Sequence, residues 1–367
     1  MQMPRKPLFF AEADWLPGPV AWFVGLISVL LFGGLWGCRP SRGPEVIVYT
    51  ALDEMFSARI LDDFSTETGV MAVPKFDTEA TKSVGLANTI VAEAARPRCD
   101  VFWNNEVLNT IRLSRRGLLE AFVPAAAADY PEMDRAADGT WHGFAARARI
   151  LLVNTRLVPA ARRPEGINDL ADPRWKGRVG IAKPLFGTTA THAACLFSVL
   201  GEQPAKRFFR RLKQNAIAIE SGNRQVAVRV ATGQLAFGLT DSDDALVMID
   251  QGYPVAIVYP DRQPGELGTL FIPNTLAIVK GCPHPRAARR LVEYLLQGKV
   301  EARLATGPSG QIPLNRKVDI KPRVETPRTV KAMQVDFAAA ARQWDTAAKF
   351  IRDEFAIESP REDKKRR

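Results

Sequence analysis

The chain is poor in the residues that build redox and zinc centres. Its 367 residues include four cysteines and three histidines. Cys38 lies in the N-terminal region, and the remaining Cys99, Cys195 and Cys282 are an odd number, which is no disulfide framework. There is no CxxC. Cys99 opens an apolar strand and Cys195 lies in an apolar helix, so both read as buried small hydrophobes. His142, His192 and His284 show no zinc spacing. GxSxG, HExxH and P-loop patterns are missing, so no nucleophile–base pair has a supporting motif and the chain does not read as an enzyme. The net charge is +10, yet no compact basic motif with interleaved aromatics accompanies it, which argues against nucleic acid. No solenoid repeat is present.

What is there is an ordinary globular composition, 46% hydrophobic and 25% charged. That excludes long disorder and collagen-like structure, and the length suits a large core in two lobes. One long uncharged run stands out, residues 20–37. Eighteen residues fit a short membrane helix or the apolar part of a secretion signal. The run ends at Leu35, Trp36, Gly37 and Cys38, which resembles the bacterial lipoprotein signal, with Cys38 as the lipidated residue. Trp36 departs from the small residue usual there, and the leader before Val20 is long and contains Glu12 and Asp14, so an uncleaved anchor is the alternative. Basic residues on both flanks (Arg5, Lys6, Arg39, Arg42) leave orientation open. The expectation is a leader or anchor over 1–38, a linker over 39–44 and a globular part outside the inner membrane. Residues 357–367 read as a solvated charged tail.

The body alternates strand and helix. Strands are expected at 46–49, 71–76 and 99–103. Helices between them carry Phe56, Ile60, Leu61 and Phe64, then Val84, Ile90 and Val91. This β–α–β–α–β order argues a mostly parallel sheet. Residues 150–154 read as a strand crossing between lobes. The alternation then repeats: strand 178–182, a turn over 186–191, helices around Cys195 and Phe208, strand 216–219 and a short helix opened by Ser221 to Asn223. Residues 271–279 read as the return crossing. The spacing of Val330, Met333, Phe337, Trp344, Ile351 and Phe355 predicts one long helix over about 329–355.

The chain is organised around residues 235–245. An apolar run over 235–239 ends in Thr240, and Asp241, Asp243 and Asp244 crowd together before a helical pattern that stops at Gly252. Open α/β sheets bind ligands beyond the carboxyl ends of their strands. The structural alternative is that Ser242 caps the helix and the aspartates favour its positive end.

In this order and spacing the chain resembles the periplasmic solute-binding proteins of ABC importers, in their ferric-ion-binding branch. The resemblance rests on residues 48–50 with Asp53, residues 100–103 with Glu106, Arg147 to Arg149 before the crossing strand, residues 175–179, Thr188 with Thr189, the strand from Gly233 to Thr240 with its acidic end, and residues 312–315. It implies an α/β, two-lobed, type II binding-protein fold with two hinge crossings, lobe 1 built from 45–152 with 276–356 and lobe 2 from 153–275. It implies capture of ferric iron as transported cargo, without any catalytic cofactor, and delivery to permease and ATPase subunits by a monomeric receptor tethered in the periplasm or at the cell surface.

Ferric-binding relatives commonly use a tyrosine pair. This sequence has five tyrosines and no pair, which puts that site in doubt. Carboxylates remain suitable for a hard cation. The metal candidates are therefore Asp53, Glu106, Asp241, Asp243 and Asp244. The candidates for an accompanying anion or organic solute are Thr50, Asn105, Arg147, Thr188, Thr189, Ser221 and Asn223. Each has a structural alternative: caps for Asp53 and the threonines, a helix-start role for Glu106, exposed charges for Arg147 and Arg149. Asp77, Thr78, Glu79 and Lys82 are weaker rim candidates. A phosphonate, phosphate ester or carboxylate bearing an ammonium group is the competing solute. A sensor ectodomain with a separate signalling partner is a further reading.

Overall fold

The computed structural model describes residues 43–77 and 84–355. The leader, Cys38, most of the linker, Thr78, Glu79, Lys82 and the charged tail lie outside the described residues. Among the described residues no helix is long and apolar enough to cross a membrane.

β1 (Glu45–Thr50) is buried along its second half and leads into α1 (Glu54–Thr68). Phe56, Ile60, Leu61 and Phe64 recur at helical spacing and are buried. Gly69, at φ 68°, closes the helix with its N–H on the Ser65 carbonyl, a left-handed cap that glycine adopts without strain. β2 (Met71–Phe76) pairs parallel to β1 and is largely exposed. It is an edge strand, where Pro74 loses no ladder bond. α2 (Val84–Ala92) and β3 (Val101–Asn104) complete the first alternation, with β3 also parallel to β1. α3 (Leu108–Arg115) and β4 (Leu119–Glu120) follow.

β5 (His142–Asn154) is thirteen residues long and buried throughout. After it come β6 (Val179–Ala182), α4 (Gly187–Leu200), α5 (Glu202–Gln214), β7 (Ala218–Glu220), α6 (Asn223–Ala231), β8 (Phe237–Asp241), α7 (Ser242–Asp250) and β9 (Val255–Val258). β10 (Phe271–Val279), α8 (Pro285–Leu295), α9 (Gly298–Thr306) and α10 (Phe337–Phe350) close the order.

The strands run β2-β1-β3-β10-β5-β8-β6-β7, with β4 beside β10 and β9 beside β5. Both ends are parallel, β2/β1/β3 and β8/β6/β7. The middle is antiparallel, where β10 pairs with β3 and β5. The first part of β5 pairs with β10 and its second part with β8 and β9. One strand thus belongs to both α/β halves, as a crossing strand should. α10 packs on both α3 and α4, and Phe350 and Phe355 close on Phe197 and Phe209.

Within β5 the ladder is broken once. Pro273 pairs with Ala146 and Asn274 with Phe144, so Ala145 is the extra, bulged residue. Its φ is 46°, a left-handed conformation an alanine resists. Its N–H leaves the ladder and donates to the buried carboxylate of Glu301 on α9. That carboxylate also accepts from the backbone N–H groups of Leu314 and Asn315.

Three local expectations are corrected. Residues 186–191 are not a turn: Gly187 begins α4, and every residue from Gly187 to Phe197 is buried, so tertiary burial overrides the weak helix propensity of Gly, Thr and Thr. Residues 329–336 are not helical. Thr269 and Ala332 form a bridge, the Met333 N–H donates to the Thr269 carbonyl, and Asp336 starts α10 by accepting from the N–H groups of Ala338 and Ala339. Ser242 is not the cap of α7; that position is Asp241, in extended backbone and without a side-chain cap bond. The Ser242 hydroxyl instead accepts from the Ala148 N–H at 3.1 Å, which ties the helix start to β5.

Candidate functional site

The acidic end of β8 is buried. Asp241, Asp243 and Asp244 are at most 7% exposed, and one carboxylate oxygen from each lies within 4.8 Å of the others. Asp243 and Asp244 occupy the first turn of α7, where the helix dipole favours negative charge. That alone does not hold three like charges so close, since burial strengthens their repulsion. Three arginines do, and each meets a different aspartate.

Arg149 is fully buried on β5, opposite Asp241 in the ladder. Its Nη1 donates to Asp241 Oδ1 at 2.7 Å and Asn223 Oδ1 at 2.9 Å, and reaches Thr188 Oγ1 at 3.2 Å. Its Nη2 donates to Thr189 Oγ1 at 3.0 Å. Thr188 donates to Asp241 Oδ2 at 2.6 Å, and Asn223 Nδ2 donates to the same oxygen at 3.1 Å. Thr189 donates to Asn223 Oδ1 at 3.0 Å. Both Asp241 oxygens are therefore engaged. The four predicted residues Thr188, Thr189, Asn223 and Asp241 do come together, but around Arg149.

Arg147 lies two residues earlier and so on the same face of β5. Its Nε is 3.5 Å from Asp243 Oδ2 and its Nη2 donates to Asn274 Oδ1 at 2.6 Å. Burial pulls the guanidinium pKa down, but Asp243, Asp241, Asp53 and Asp244 together outweigh it and hold the pKa above the usual arginine value. Arg147 and Arg149 are thus not exposed charges; they form a cationic floor under the aspartates.

Arg224, in the first turn of α6, reaches the third aspartate. Its Nε is 3.3 Å from Asp244 Oδ1, and its Nη2 is 3.8 Å from Asp53 Oδ2. Asp53 occupies the N-cap position of α1 without a side-chain cap bond. The Arg224 side chain is 33% exposed, against none for Arg149.

The other predicted residues are placed as follows. Thr50 is buried at the end of β1, where its hydroxyl accepts from the Leu52 N–H. Asn105 is buried just beyond β3, with its Oδ1 lacking a hydrogen-bond partner. Glu106 is buried but outside the close carboxylate group. It accepts from the N–H groups of Leu108 and Asn109 at the start of α3, from Asn104 Nδ2, and from Thr191 Oγ1 on α4. Ser221 is exposed ahead of α6. Behind the Arg149 network, His192 lines a small, mainly apolar cavity of about 20 Å³ with Thr189 and Leu239. Burial, aided by Arg149, pushes its pKa down to about 3, so it is neutral.

Sequence reasoning passed over three participants. Arg149 was visible beside Arg147, and period two puts both on one face of a strand. Arg224 follows Asn223 directly and carries no signal of its own. Asn274 sits where β10 meets the bulge at Ala145, a position no local pattern marks.

A family model for bacterial extracellular solute-binding protein matches residues 110–341. The chain belongs to this family. The family is one of transport components that bind solutes and are not enzymes. A similar relative is the Fe(3+)-binding periplasmic protein of Serratia marcescens, 26% identical over 60% of this chain and 63% of that protein. Another is the major ferric iron-binding protein of Neisseria meningitidis, 24% identical over 83% of this chain and 91% of its own length. Among solved structures, iron-bound HitA of Pseudomonas aeruginosa superposes with a TM-score of 0.76 at 21% identity, covering 84% of this chain and 99% of its own. The periplasmic binding protein AfuA of Actinobacillus pleuropneumoniae, with fructose-6-phosphate bound, reaches 0.77 at 20% identity over 86% and 99%. These likenesses fix the fold of this solute-binding protein as the two-lobed, type II arrangement expected from sequence.

Proposed function

We propose that this solute-binding protein is the extracytoplasmic receptor of an ABC importer and captures ferric iron, accompanied by a small anion, between two lobes for delivery to permease and ATPase subunits. The observation that carries this reading is the convergence of three buried carboxylates at a strand end. Oxygen donors of this kind suit a hard cation in place of the missing tyrosine pair. Asp243 and Asp244 are the ligands, joined from the first lobe by Asp53. Asp241 holds the floor through Arg149. The lobes comprise 45–152 with 276–356, and 153–275. The receptor acts as a monomer without nucleic acid, held at the membrane through lipidated Cys38 or an uncleaved N-terminal helix, in the periplasm or at the cell surface.

The charge balance supports the accompanying anion. Among the described residues, four aspartates (53, 241, 243, 244) against Arg147, Arg149 and Arg224 leave one net negative charge. A trivalent ion would overcompensate it by two charges, an excess that an anion on Arg147 would offset. The same arginines support a second reading, in which the cargo is a phosphonate or another small organic anion with an ammonium group. The sugar phosphate named for AfuA is of that anionic type.

Native mass spectrometry on protein purified without chelators or nickel separates the two. A retained mass of iron, with or without a small anion, supports the first reading. An organic mass without metal rejects it in favour of the second, and an apo protein that also takes up no iron from ferric citrate rejects the iron reading.

A further inference from the structure

Arg224 lies between carboxylates of the two lobes. Its backbone belongs to α6, beside β8 and α7. Its guanidinium reaches Asp244 on α7 through Nε, at 3.3 Å, and Asp53 at the start of α1 through Nη2, at 3.8 Å. Nη2 also lies 2.9 Å from the sulfur of Met55, on the same first turn of α1. The three arginines of the site therefore differ in kind. Arg149 and Arg147 come from the crossing strand and are buried. Arg224 comes from one lobe, contacts the other, and is a third exposed, with a long flexible stem able to swing outward.

We infer that Arg224 is an internal counter-cation: it latches the two lobes through Asp53 and Asp244 when the site is empty, and a cationic cargo binds those carboxylates by displacing it. The inference rests on the ferric-iron reading for its cargo and on the contacts alone for its latch. A positive charge a few ångströms from the ion position opposes a trivalent cation by Coulomb repulsion, and leaving removes that opposition. The same contact holds the lobes together without cargo, so Arg224 sets both resting closure and the threshold at which iron is accepted.

The test compares the full chain in detergent with Arg224→Gln and Arg224→Lys, after thermal melts establish that each variant folds. Hydrogen exchange on apo protein reads the latch. Peptides covering the starts of α1 and α7 should exchange faster in Arg224→Gln and return towards the parent rate in Arg224→Lys. Unchanged exchange in Arg224→Gln overturns the latch. Titration with ferric nitrilotriacetate reads the competition. Arg224→Gln should bind iron more tightly, by about tenfold or more given the lost repulsion, with Arg224→Lys close to the parent. Weaker iron binding in Arg224→Gln overturns the displacement and makes Arg224 an anion ligand instead. If the parent chain binds no iron at all, the ferric reading fails, while the exchange arm still decides the latch.

Discussion

Two arginine–aspartate contacts sit at opposite ends of one acidic cluster and behave as different devices. Arg149 and Asp241 are fully enclosed, share a strand ladder, and are crosslinked by Thr188, Thr189 and Asn223. The contact of Arg224 with Asp244 is longer, its arginine is a third exposed, and that arginine also reaches Asp53. The difference teaches that burial with both carboxylate oxygens hydrogen-bonded makes a charged pair into scaffold, whereas exposure with an extra partner makes it exchangeable. A receptor needs both, because cargo must meet a rigid wall on one side and replaceable contacts on the other.

The largest break in this comparison comes at the scaffold end. Arg149→Met should strand the Asp241 carboxylate and cost about 3–5 kcal/mol, the usual consequence of breaking one side of a buried pair. Denaturant melts should show it; a loss below about 1 kcal/mol, the range of an exposed pair, would remove the distinction drawn above. Asp243→Ala with Asp244→Ala probes the cargo side. Iron binding should be abolished, as read by iron titration beside calorimetry that establishes the variant folds. Unchanged iron affinity would reject these two residues as ligands.

Arg147→Ala sharpens the comparison further, because Arg147 is buried like Arg149 yet faces Asp243. Binding of the accompanying anion should weaken most in this variant, and equal anion affinity would leave Arg147 as scaffold only. A smaller effect is expected at Glu301, which holds the bulge that precedes Arg147. Burial outweighs its three backbone donors and raises its pKa to about 7, and partly buried Asp134 is raised to about 6. Carboxyls with raised folded pKa values stabilise in the protonated form. Their contribution is complete below about 4, near the unfolded values, and is lost as pH rises through about 6 to 7. Melting temperature should therefore fall from pH 5 to pH 8, and Glu301→Gln should flatten that slope. The smallest effect belongs to a wholly superficial pair. Lys349→Ala, which removes the contact with Asp353, should leave the melting temperature unchanged.

Much of the frame was legible because its signals are local. The spacing of Phe56, Ile60, Leu61 and Phe64 marks α1, and the run ending at Asp241 marks β8. The long helix failed because Val330 and Met333 continue the helical spacing while the backbone of Lys331 and Met333 pairs with Thr269, a contact no local pattern records. The site was half legible. Strand ends and carboxylates pointed to Asp241, Asp243 and Asp244, and hydroxyl residues at a helix start pointed to Thr188 and Thr189. Which oxygens are already taken was not legible: Glu106 is occupied by α3 and Thr191, and Asp241 by Arg149. Those assignments depend on contacts between residues far apart in sequence, Asp241 opposite Arg149 in the ladder and Thr191 against Glu106.

The most direct measurement is anomalous scattering at the iron edge from crystals of the protein grown with ferric citrate. The account predicts one strong peak within bonding distance of Asp243 and Asp244, with the Arg224 guanidinium displaced from Asp244. A peak elsewhere, or an organic solute in the cleft with no anomalous signal beside these aspartates, would contradict it.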